Sequence, residues 1–292
     1  MHVQSLPAEC SRLSWRPKVT ALLPCYNAAE FIEPTLECLA AQTWPDLEIL
    51  IGDDCSSDST LDIVRCFASK QPNVRVVTRG SNLGWMENSN DLMSQAQGEL
   101  MFFAFHDDLV APAYVEKLVN ALRGRPNAII AFSDVELTEV DGSTRFFACT
   151  SMTDVTGPIN RGLAYLGDGE NWWVPNRGLF RAEAFRRIGG IKKTDSGAYG
   201  DHIWLFHMAL LGNFIRVPEL LCWKFFKKTS LSKQWVDTDH SVMRKEFVSE
   251  IWQSDLPRWQ KSLLVCAVTG HHRRYVPQAA RSMLKKALRL FQ

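Results

Sequence analysis

Most of the residues that could do chemistry in this 292-residue chain lie in three short polar segments. Each segment directly follows a run of apolar residues that reads as a buried strand. The carboxyl ends of parallel strands form one rim of a sheet, and ligands of such sheets bind there. We therefore expect the three segments to meet at one site. They are 24–27, with Pro24, Tyr26 and Asn27; 53–54, with two aspartates; and 106–108, with His106, Asp107 and Asp108.

The acidic pair Asp107-Asp108 is the first candidate for metal binding. Two adjacent carboxylates at the end of a buried strand repel each other unless a cation lies nearby. Mg²⁺ and Mn²⁺ prefer oxygen ligands and often share them with the phosphates of a substrate. The alternative interpretation is ordinary capping of the helix that begins near Pro112, or a solvated turn.

A second acidic pair, Asp53-Asp54, opens the run Asp-Asp-Cys-Ser-Ser-Asp-Ser-Thr. A carboxylate at this position can accept a hydrogen bond from the imide N–H of a nucleobase. The alternative is that the whole run serves turn formation and helix capping, for which Ser57 or Asp58 is suitable.

The elements that would position these segments alternate between strands and helices. Apolar runs predict strands at 19–23, 47–51, 74–77, 100–105 and 128–132, and helical periodicity predicts helices at 28–42, 59–69, 85–96 and 112–123. This β-α-β order predicts an α/β fold with a doubly wound, mostly parallel sheet. The second half is less regular, with a hairpin turn expected at 140–143 and a helix at 201–211.

Composition excludes several function classes. The chain is 46% hydrophobic and 22% charged, with a formal net charge of +1, so its bulk charge does not predict nucleic-acid binding. The eight cysteines lack C-x-x-C spacing and predict small buried side chains in a reducing compartment rather than a zinc site. No signal sequence and no run long enough to span a membrane is evident, so we expect a cytoplasmic protein.

The polar segments, taken together, resemble the family 2 glycosyltransferases, an inverting group with the GT-A fold. The resemblance extends from about 19 to 232 and keeps the order and spacing of the family's motifs. The matching positions are 24–27, 47–60, Asn82, Gly84, Asn90, Ala96, 98–99, 106–108, Pro112, 180–181, Phe185, 188–190, 200–201, 204–205, 211–212, 223–224 and 230–232.

The resemblance implies a role for each matching residue. The enzyme would move a sugar from a nucleotide-sugar donor, most often a UDP-sugar, to an acceptor hydroxyl with the help of Mn²⁺ or Mg²⁺. Asp201 would be the general base, and Asp107 and Asp108 would hold the metal. Donor contacts would come from Pro24, Tyr26, Asn27, Asp54, Asn82, Asn90 and Asp107; weaker candidates for phosphate or acceptor binding are Lys224, Lys227, Trp172, Trp173 and Asn176.

Three positions depart from the family pattern. Phe105 replaces the first acid of the usual D-x-D-D motif, so metal and ribose contacts would depend on Asp107 and Asp108. Gly200 replaces the glutamate that precedes the base. Lys224 replaces an arginine and retains the charge without the planar fork. His106, His202 and His207 are expected to be structural.

The resemblance also suggests boundaries and partners. We predict an irregular segment over 1–17 and a GT-A domain over 18–235. Its donor half would be 18–135, and its smaller, mixed acceptor half 136–235. A basic helical tail would follow over 236–292, where apolar Met283, Leu284, Ala287, Leu288 and Phe291 oppose basic Arg281, Lys285, Lys286 and Arg289.

A basic amphipathic helix of this kind can lie on an anionic membrane, although packing on the catalytic domain is the alternative. The expected acceptor is a carbohydrate or a lipid-linked sugar, with a role in bacterial polysaccharide or glycolipid assembly.

Two other functions compete with sugar transfer. A sugar-phosphate nucleotidyltransferase would need a glycine-rich, basic loop after the first strand to hold a triphosphate, and 24–27 has neither glycine nor a basic residue. A non-catalytic sugar-binding relative would explain Phe105 and Gly200, but it would not need all of Asp54, Asp107, Asp108 and Asp201.

Overall fold

A computed structural model describes residues 15–168, 171–194, 199–227, 230 and 240–271. Most of the N-terminal segment predicted at 1–17, and the amphipathic part of the tail beyond residue 271, lie outside this range. So does Ser232 of the last matching motif.

A nine-stranded sheet runs through the described residues. Its order is β3-β2-β1-β4-β8-β6-β9-β5, with β7 paired to β6. The strands β1 to β4, which carry the polar segments, pair in parallel. The strands are β1 (Val19–Cys25), β2 (Leu47–Asp53), β3 (Val74–Thr78), β4 (Leu100–Phe103), β5 (Asp108–Val110), β6 (Ala128–Thr138), β7 (Thr144–Phe147), β8 (Leu179–Arg181) and β9 (Asn213–Phe225).

Helices connect the parallel strands and continue to the end of the described chain. The first four lie where the sequence predicts helices, although α1 is shorter than its predicted range of 28–42. The helices are α1 (Ile32–Ala40), α2 (Thr60–Ala68), α3 (Trp85–Gln95), α4 (Tyr114–Leu122), α5 (Pro158–Gly167), α6 (Ala182–Ile188), α7 (Gly200–Leu211), α8 (His240–Gln253) and α9 (Arg258–His271). A 3₁₀ turn, Val174–Arg177, precedes β8.

The central strands are buried along their whole length, as their apolar sequences predict. Every residue of β1, β2 and β4 is buried, and Leu22, Leu23 and Phe102 have no exposed surface. Burial of each such side chain contributes roughly 1.5–3 kcal/mol to folding. Since both faces of these strands are covered, the polar side chains just beyond their carboxyl ends face a rim that the core holds in place.

The GT-A-like α/β fold is confirmed, and three strands, β5, β8 and β9, were not predicted. β8 lies antiparallel between β4 and β6, so the fifth predicted strand, which extends to Thr138, does not pair with β4. β5 begins at Asp108 and pairs antiparallel with β9, directly opposite Lys224. β5 and β8 have only three residues each, too few to produce a recognisable period. β9 has 13 residues, but its buried and partly buried positions do not alternate regularly, so its sequence has no clear strand period.

Of two local predictions, one is correct only in part and one is confirmed. The N-cap of α2 is Ser59, not Ser57 or Asp58, but Asp58 accepts a hydrogen bond from the backbone N–H of Thr60 at 3.0 Å, which satisfies a donor in the first turn of α2. The hairpin predicted at 140–143 joins β6 to β7, where the N–H of Glu139 donates to the carbonyl of Ser143.

The cysteine prediction is only half correct. All the cysteines in the described part of the chain are free thiols. Cys25, Cys149 and Cys222 are buried, as expected, and burial raises the pKa of each thiol. The prediction of small buried side chains is wrong for Cys55, Cys66 and Cys266, which are exposed. Among the helices described, none has the length and apolar character needed to cross a bilayer.

Gly98, one of the positions that match the family, has a packing role at the start of β4. Its N–H donates to Thr20 Oγ1 at 2.9 Å. A Cβ at this position would lie 2.5 Å from the carbonyl oxygen of Leu100 and 2.7 Å from the backbone nitrogen of Thr20. Backbone atoms of two central strands would have to move to accommodate it.

We therefore predict that Gly98→Ala lowers the free energy of unfolding by about 1–3 kcal/mol, the usual cost of overpacking. Urea denaturation measures this change. Gly80→Ala is the matched control, because a Cβ there has no neighbour within 4 Å. Equal stability of the two variants would contradict the close approach at Gly98.

Candidate active site

The rim formed by the carboxyl ends of β1, β2 and β4 holds the predicted donor residues. Cys25 and Asp53, the last residues of β1 and β2, are register partners. β4 pairs with the other side of β1 and leads into residues 104–108. The parallel pairing therefore brings the three polar segments to one edge of the sheet, as the sequence predicts.

Asp54 uses both carboxylate oxygens to hold the loop before α3. Oδ1 accepts the N–H of Leu83 and Oδ2 accepts the N–H of Gly84, each at 2.8 Å. Asn82 Oδ1 also accepts the N–H of Gly84, at 3.0 Å. Asp54 and Asn82 thus fix the wall beside β2, and any contact between Asp54 and a base would use lone pairs that these bonds leave free.

Asp53, which the sequence analysis did not assign to the site, has more hydrogen-bonding capacity left than Asp54. Its Oδ2 accepts the N–H of Ser56 at 3.2 Å. Its Oδ1 is buried and has no hydrogen-bond partner in the described part of the chain. An acidic pair at a strand end was the available signal, but the sequence alone could not tell which member would keep a carboxylate oxygen without a hydrogen bond.

The segment after β1 is attached to the segment after β2. Asn27 adopts a positive φ of 47°, and its Oδ1 accepts the N–H of Ser57 at 2.9 Å. The carbonyl of Pro24 lies 3.1 Å from Nδ1 of His106, so the first and third polar segments are also in contact. Tyr26 is 46% exposed, so its ring is available to a ligand.

An aromatic and basic wall borders this rim. The rings of Phe31 and His106 stack with centroids 5.3 Å apart. The ammonium of Lys227 lies 4.7 Å from the centroid of the Phe31 ring. The His106 ring thus contacts the residue before α1 and the carbonyl of Pro24 in β1, and these contacts are compatible with the structural role predicted for it. Phe31 was not recognised from the sequence, because a single aromatic before a helix is normal core patterning.

Asp108 lies in a buried cluster of charges. Its Oδ2 accepts a hydrogen bond from Arg177 Nε at 2.9 Å, and its Oδ1 is 3.9 Å from Lys224 Nζ. Lys224 faces Asp108 because β5 pairs with β9. Burial, together with the nearby guanidinium of Arg177, lowers the pKa of Lys224. The predicted phosphate ligand Lys224 is therefore placed beside the predicted metal ligand.

Asp201 is buried at the start of α7 and is oriented by two hydrogen bonds. Asn176 Nδ2 donates to its Oδ2 at 2.8 Å, and the N–H of His202 donates to its Oδ1 at 3.0 Å. Burial raises the pKa of Asp201, although the charge of Arg177 partly opposes the effect. A carboxylate with a raised pKa in a fixed orientation is suited to accept a proton.

The departure at Gly200 has a packing explanation. A Cβ at this position would lie 2.6 Å from the carbonyl oxygen of Lys192 and 2.9 Å from Met86 Sδ. A glutamate would therefore displace the loop before α7. Asn90, a predicted donor contact, supports this same loop, since its amide exchanges two hydrogen bonds of 2.7 Å with the backbone of Ile191.

Aromatic side chains surround the base. The Trp172 ring stacks on His202 with centroids 4.1 Å apart and an interplanar angle of 19°. The Trp173 ring lies 5.2 Å from the Arg177 guanidinium. Burial lowers the pKa of His202 to about 3, so this residue is neutral near pH 7 and acts as a stacking partner, consistent with its predicted structural role.

The acidic pair at 107 and 108 fits a hard divalent cation. Asp107 is partly exposed and forms no hydrogen bond or ion pair with any described residue. Asp108 Oδ1 is buried without a hydrogen-bond partner among those residues. No group of three or more His, Cys, Asp or Glu side chains in the described ranges is arranged to hold a metal. A bound cation would therefore take its remaining ligands from phosphate or water.

Comparison with known proteins agrees with this arrangement. Residues 20–146 match the family described as Glycosyl transferase family 2. The putative teichuronic acid biosynthesis glycosyltransferase TuaG of Bacillus subtilis is 32% identical over 130 residues, which are 44% of this chain and 51% of TuaG. The poly(ribitol-phosphate) beta-glucosyltransferase of Bacillus spizizenii is 38% identical over 144 residues, or 48% of this chain and 22% of that enzyme. The chain thus spans between about a fifth and a half of these relatives.

Solved structures show the same fold. The S. aureus TarS 1-349 complex with UDP aligns with a TM-score of 0.64 and 19% identity, and covers 89% of this chain and 72% of TarS 1-349. The mannosyltransferase PcManGT of Pyrobaculum calidifontis, in complex with GDP-Man and Mn²⁺, aligns with a TM-score of 0.54 and 18% identity over 95% of this chain and 81% of its own. Residues 20–146 of the chain are thus similar to glycosyltransferase family 2, and the described residues around them have the GT-A-like fold of these solved structures.

Proposed function

We propose that this chain is an inverting glycosyltransferase that moves a sugar from a nucleotide-sugar donor to an acceptor hydroxyl. A UDP-sugar is the donor that we propose first. The main support is the position of Asp201, a buried and oriented carboxylate whose surroundings include the Asp108, Arg177 and Lys224 charge cluster. A general base and a site for a diphosphate are thereby close together. The family match of residues 20–146 and structural neighbours in complex with UDP or GDP-Man support the donor class.

The chemistry that we propose requires one base. Asp201 accepts the proton of the acceptor hydroxyl while that oxygen attacks the anomeric carbon from the face opposite the leaving group. The bond to the nucleoside diphosphate breaks in the same step, so the configuration inverts and no covalent sugar–enzyme intermediate is needed. Asn176 holds the carboxylate toward the acceptor, and the nearby Trp172 and Trp173 provide apolar faces on which a sugar can stack.

The leaving diphosphate gains negative charge as the bond breaks. A Mn²⁺ or Mg²⁺ ion held by Asp107 and by Asp108 Oδ1 would stabilise that charge. Lys224 and Lys227 add fixed positive charge next to the acidic pair and next to Phe31. Asp53, Asp54, Tyr26 and Asn27 form the wall where we place the nucleoside, with Asp53 Oδ1 available to accept a hydrogen bond from a base N–H.

Domain boundaries and cellular context are also part of the proposal. Residues 18–135 would bind the donor and 136–235 the acceptor, while the tail at 236–292 would bring the enzyme to the cytoplasmic face of a membrane. The named relatives in teichuronic acid and poly(ribitol-phosphate) synthesis support a role in polysaccharide or glycolipid assembly. The acceptor would be a carbohydrate or a lipid-linked sugar. Fractionation of cells with and without residues 272–292 tests the membrane component.

A panel of nucleotide sugars with Mn²⁺ in a thermal-shift assay tests the proposed function, because a ligand that binds only the folded state raises the melting temperature. The donor that gives the largest shift is then incubated with the enzyme. Release of a nucleoside diphosphate supports the transferase. Release of pyrophosphate from a sugar phosphate and a nucleoside triphosphate would identify a nucleotidyltransferase instead, and binding without turnover would identify a non-catalytic relative.

Asp201→Asn should lower the rate of sugar transfer at least 100-fold, because general-base catalysis typically contributes 10²- to 10⁴-fold. The affinity for the donor should stay within about twofold, since the base acts on the acceptor. Steady-state transfer assays and calorimetry measure the two quantities. Asp46→Asn, at an exposed position, is the control. Transfer at the wild-type rate would show that another group is the base.

The pH dependence of transfer should reflect the raised pKa of the buried Asp201 carboxyl group. Because burial raises its pKa, the acidic limb of kcat/KM should lie above the ordinary carboxyl pKa of about 4. Asn176→Leu removes a hydrogen bond to the carboxylate, which raises the pKa further and moves this limb to higher pH. Asn160→Leu, at a partly exposed site whose side chain bonds the carbonyl of Thr156, should leave the profile unchanged. A limb that does not move in Asn176→Leu would contradict the assigned contact.

A further inference from the structure

Arg177 is the buried cation of the charge cluster beside Asp201, and the proposed mechanism assigns it no contact with the donor. Its side chain is 10% exposed, and Nε donates to Asp108 Oδ2 at 2.9 Å. This is the only hydrogen bond that its guanidinium forms with the described residues. A guanidinium carries five N–H donors, so most of the donor capacity of a nine-tenths buried group is unused.

The side chain is held in place from several directions. Its guanidinium carbon lies 4.5 Å from the centroid of the Phe105 ring and 5.2 Å from that of Trp173. Its carbonyl oxygen accepts a hydrogen bond from the hydroxyl of the fully buried Tyr114. The residue ends the 3₁₀ turn whose Asn176 contacts Asp201. The positive charge is therefore fixed before any ligand binds.

Arg177 interacts electrostatically with the two proposed metal ligands, Asp107 and Asp108, and with the proposed base, Asp201. Asp108, through charge and the hydrogen bond, and Asp107, through charge, raise the pKa of Arg177 against the effect of burial. Arg177 in turn is the charge that most favours the carboxylate form of Asp201. A cation that interacts with both the proposed metal ligands and the proposed base is close to where the diphosphate of a donor would lie during transfer.

We propose that Arg177 is a built-in cation of this site, which binds the diphosphate of the donor through its free Nη groups beside the ion held by Asp107 and Asp108. The inference rests on the proposed function. The planar fork of a guanidinium matches two phosphate oxygens, and the bond from Nε to Asp108 leaves the Nη edge free for them. Phe105 fits this role because its ring packs against the guanidinium. The acid that the family pattern has at this position would instead add another negative charge.

The consequence is a reduced dependence on metal. A site whose only cation was a divalent ion would lose affinity for nucleoside diphosphates when that ion is chelated. With Arg177 in the site, part of the affinity should survive chelation. If Arg177 served only to orient Asp108, it would instead act through the metal, and its substitution would not affect binding in the presence of a chelator.

Calorimetric titration with UDP and GDP, in EDTA and in Mn²⁺, tests the proposal. Wild-type protein should bind one of the two in EDTA, and Arg177→Met should weaken that binding at least tenfold, or about 1.4 kcal/mol. Arg177→Lys should recover part of the loss, since it restores the charge without the fork. Arg216→Met is the matched control, because Arg216 forms a comparable pair with buried Asp134 outside the site. Its affinity should equal that of the wild type.

Removal of Arg177 leaves Asp108 buried without its partner, so Arg177→Met alone risks unfolding. The double variant Asp108→Asn with Arg177→Met removes both charges, and it should show the same loss of affinity in EDTA. Wild-type affinity of the Arg177 variants in EDTA, or binding by the wild type only with Mn²⁺, would overturn the role of Arg177 and leave the transferase proposal intact. Absence of nucleotide binding under both conditions would overturn both.

Discussion

The buried ion pair between Asp108 and Arg177 connects the two parts of the sheet on which the site depends. Asp108 begins β5, beyond the parallel strands, and Arg177 ends the 3₁₀ turn that leads into β8. Loss of one member of such a pair typically costs about 3–5 kcal/mol, because the remaining charge stays buried. The pair is thus both an element of the fold and the centre of the candidate site.

Other polar side chains hold the loops around the site in fixed positions relative to the core. Asp54 binds the backbone of Leu83 and Gly84, and Asn90 binds the backbone of Ile191. Each side chain satisfies backbone groups that a loop would otherwise leave unpaired or solvated. These contacts hold the walls of the site in one geometry, and preorganisation of that kind is what electrostatic stabilisation of a leaving group requires.

Much of the fold and part of the site follow from the sequence. The parallel half of the sheet was predicted from the apolar runs of β1, β2 and β4 and from the amphipathic helices between them. Strands covered on both faces appear as continuous apolar runs, whereas helices covered on one face repeat their apolar residues every three to four positions. The residue after each strand then marked the rim. β8 was not foreseen, and its antiparallel insertion places Arg177 beside Asp108 although 69 residues separate the two along the chain.

The sequence by itself determined which chemical groups are available, namely acids after the strands, an aspartate at the start of a later helix and lysines near residue 224. The spacing of those groups also produced the resemblance to glycosyltransferase family 2, which residues 20–146 match. Only the tertiary structure decided how each group is used. Asp54 and Asn90 are bonded to backbone, Asp53 retains a free oxygen, and Arg177 is drawn into the acidic cluster. These assignments depend on contacts between residues far apart in the chain, where burial and hydrogen bonding select one partner among several that are chemically equivalent.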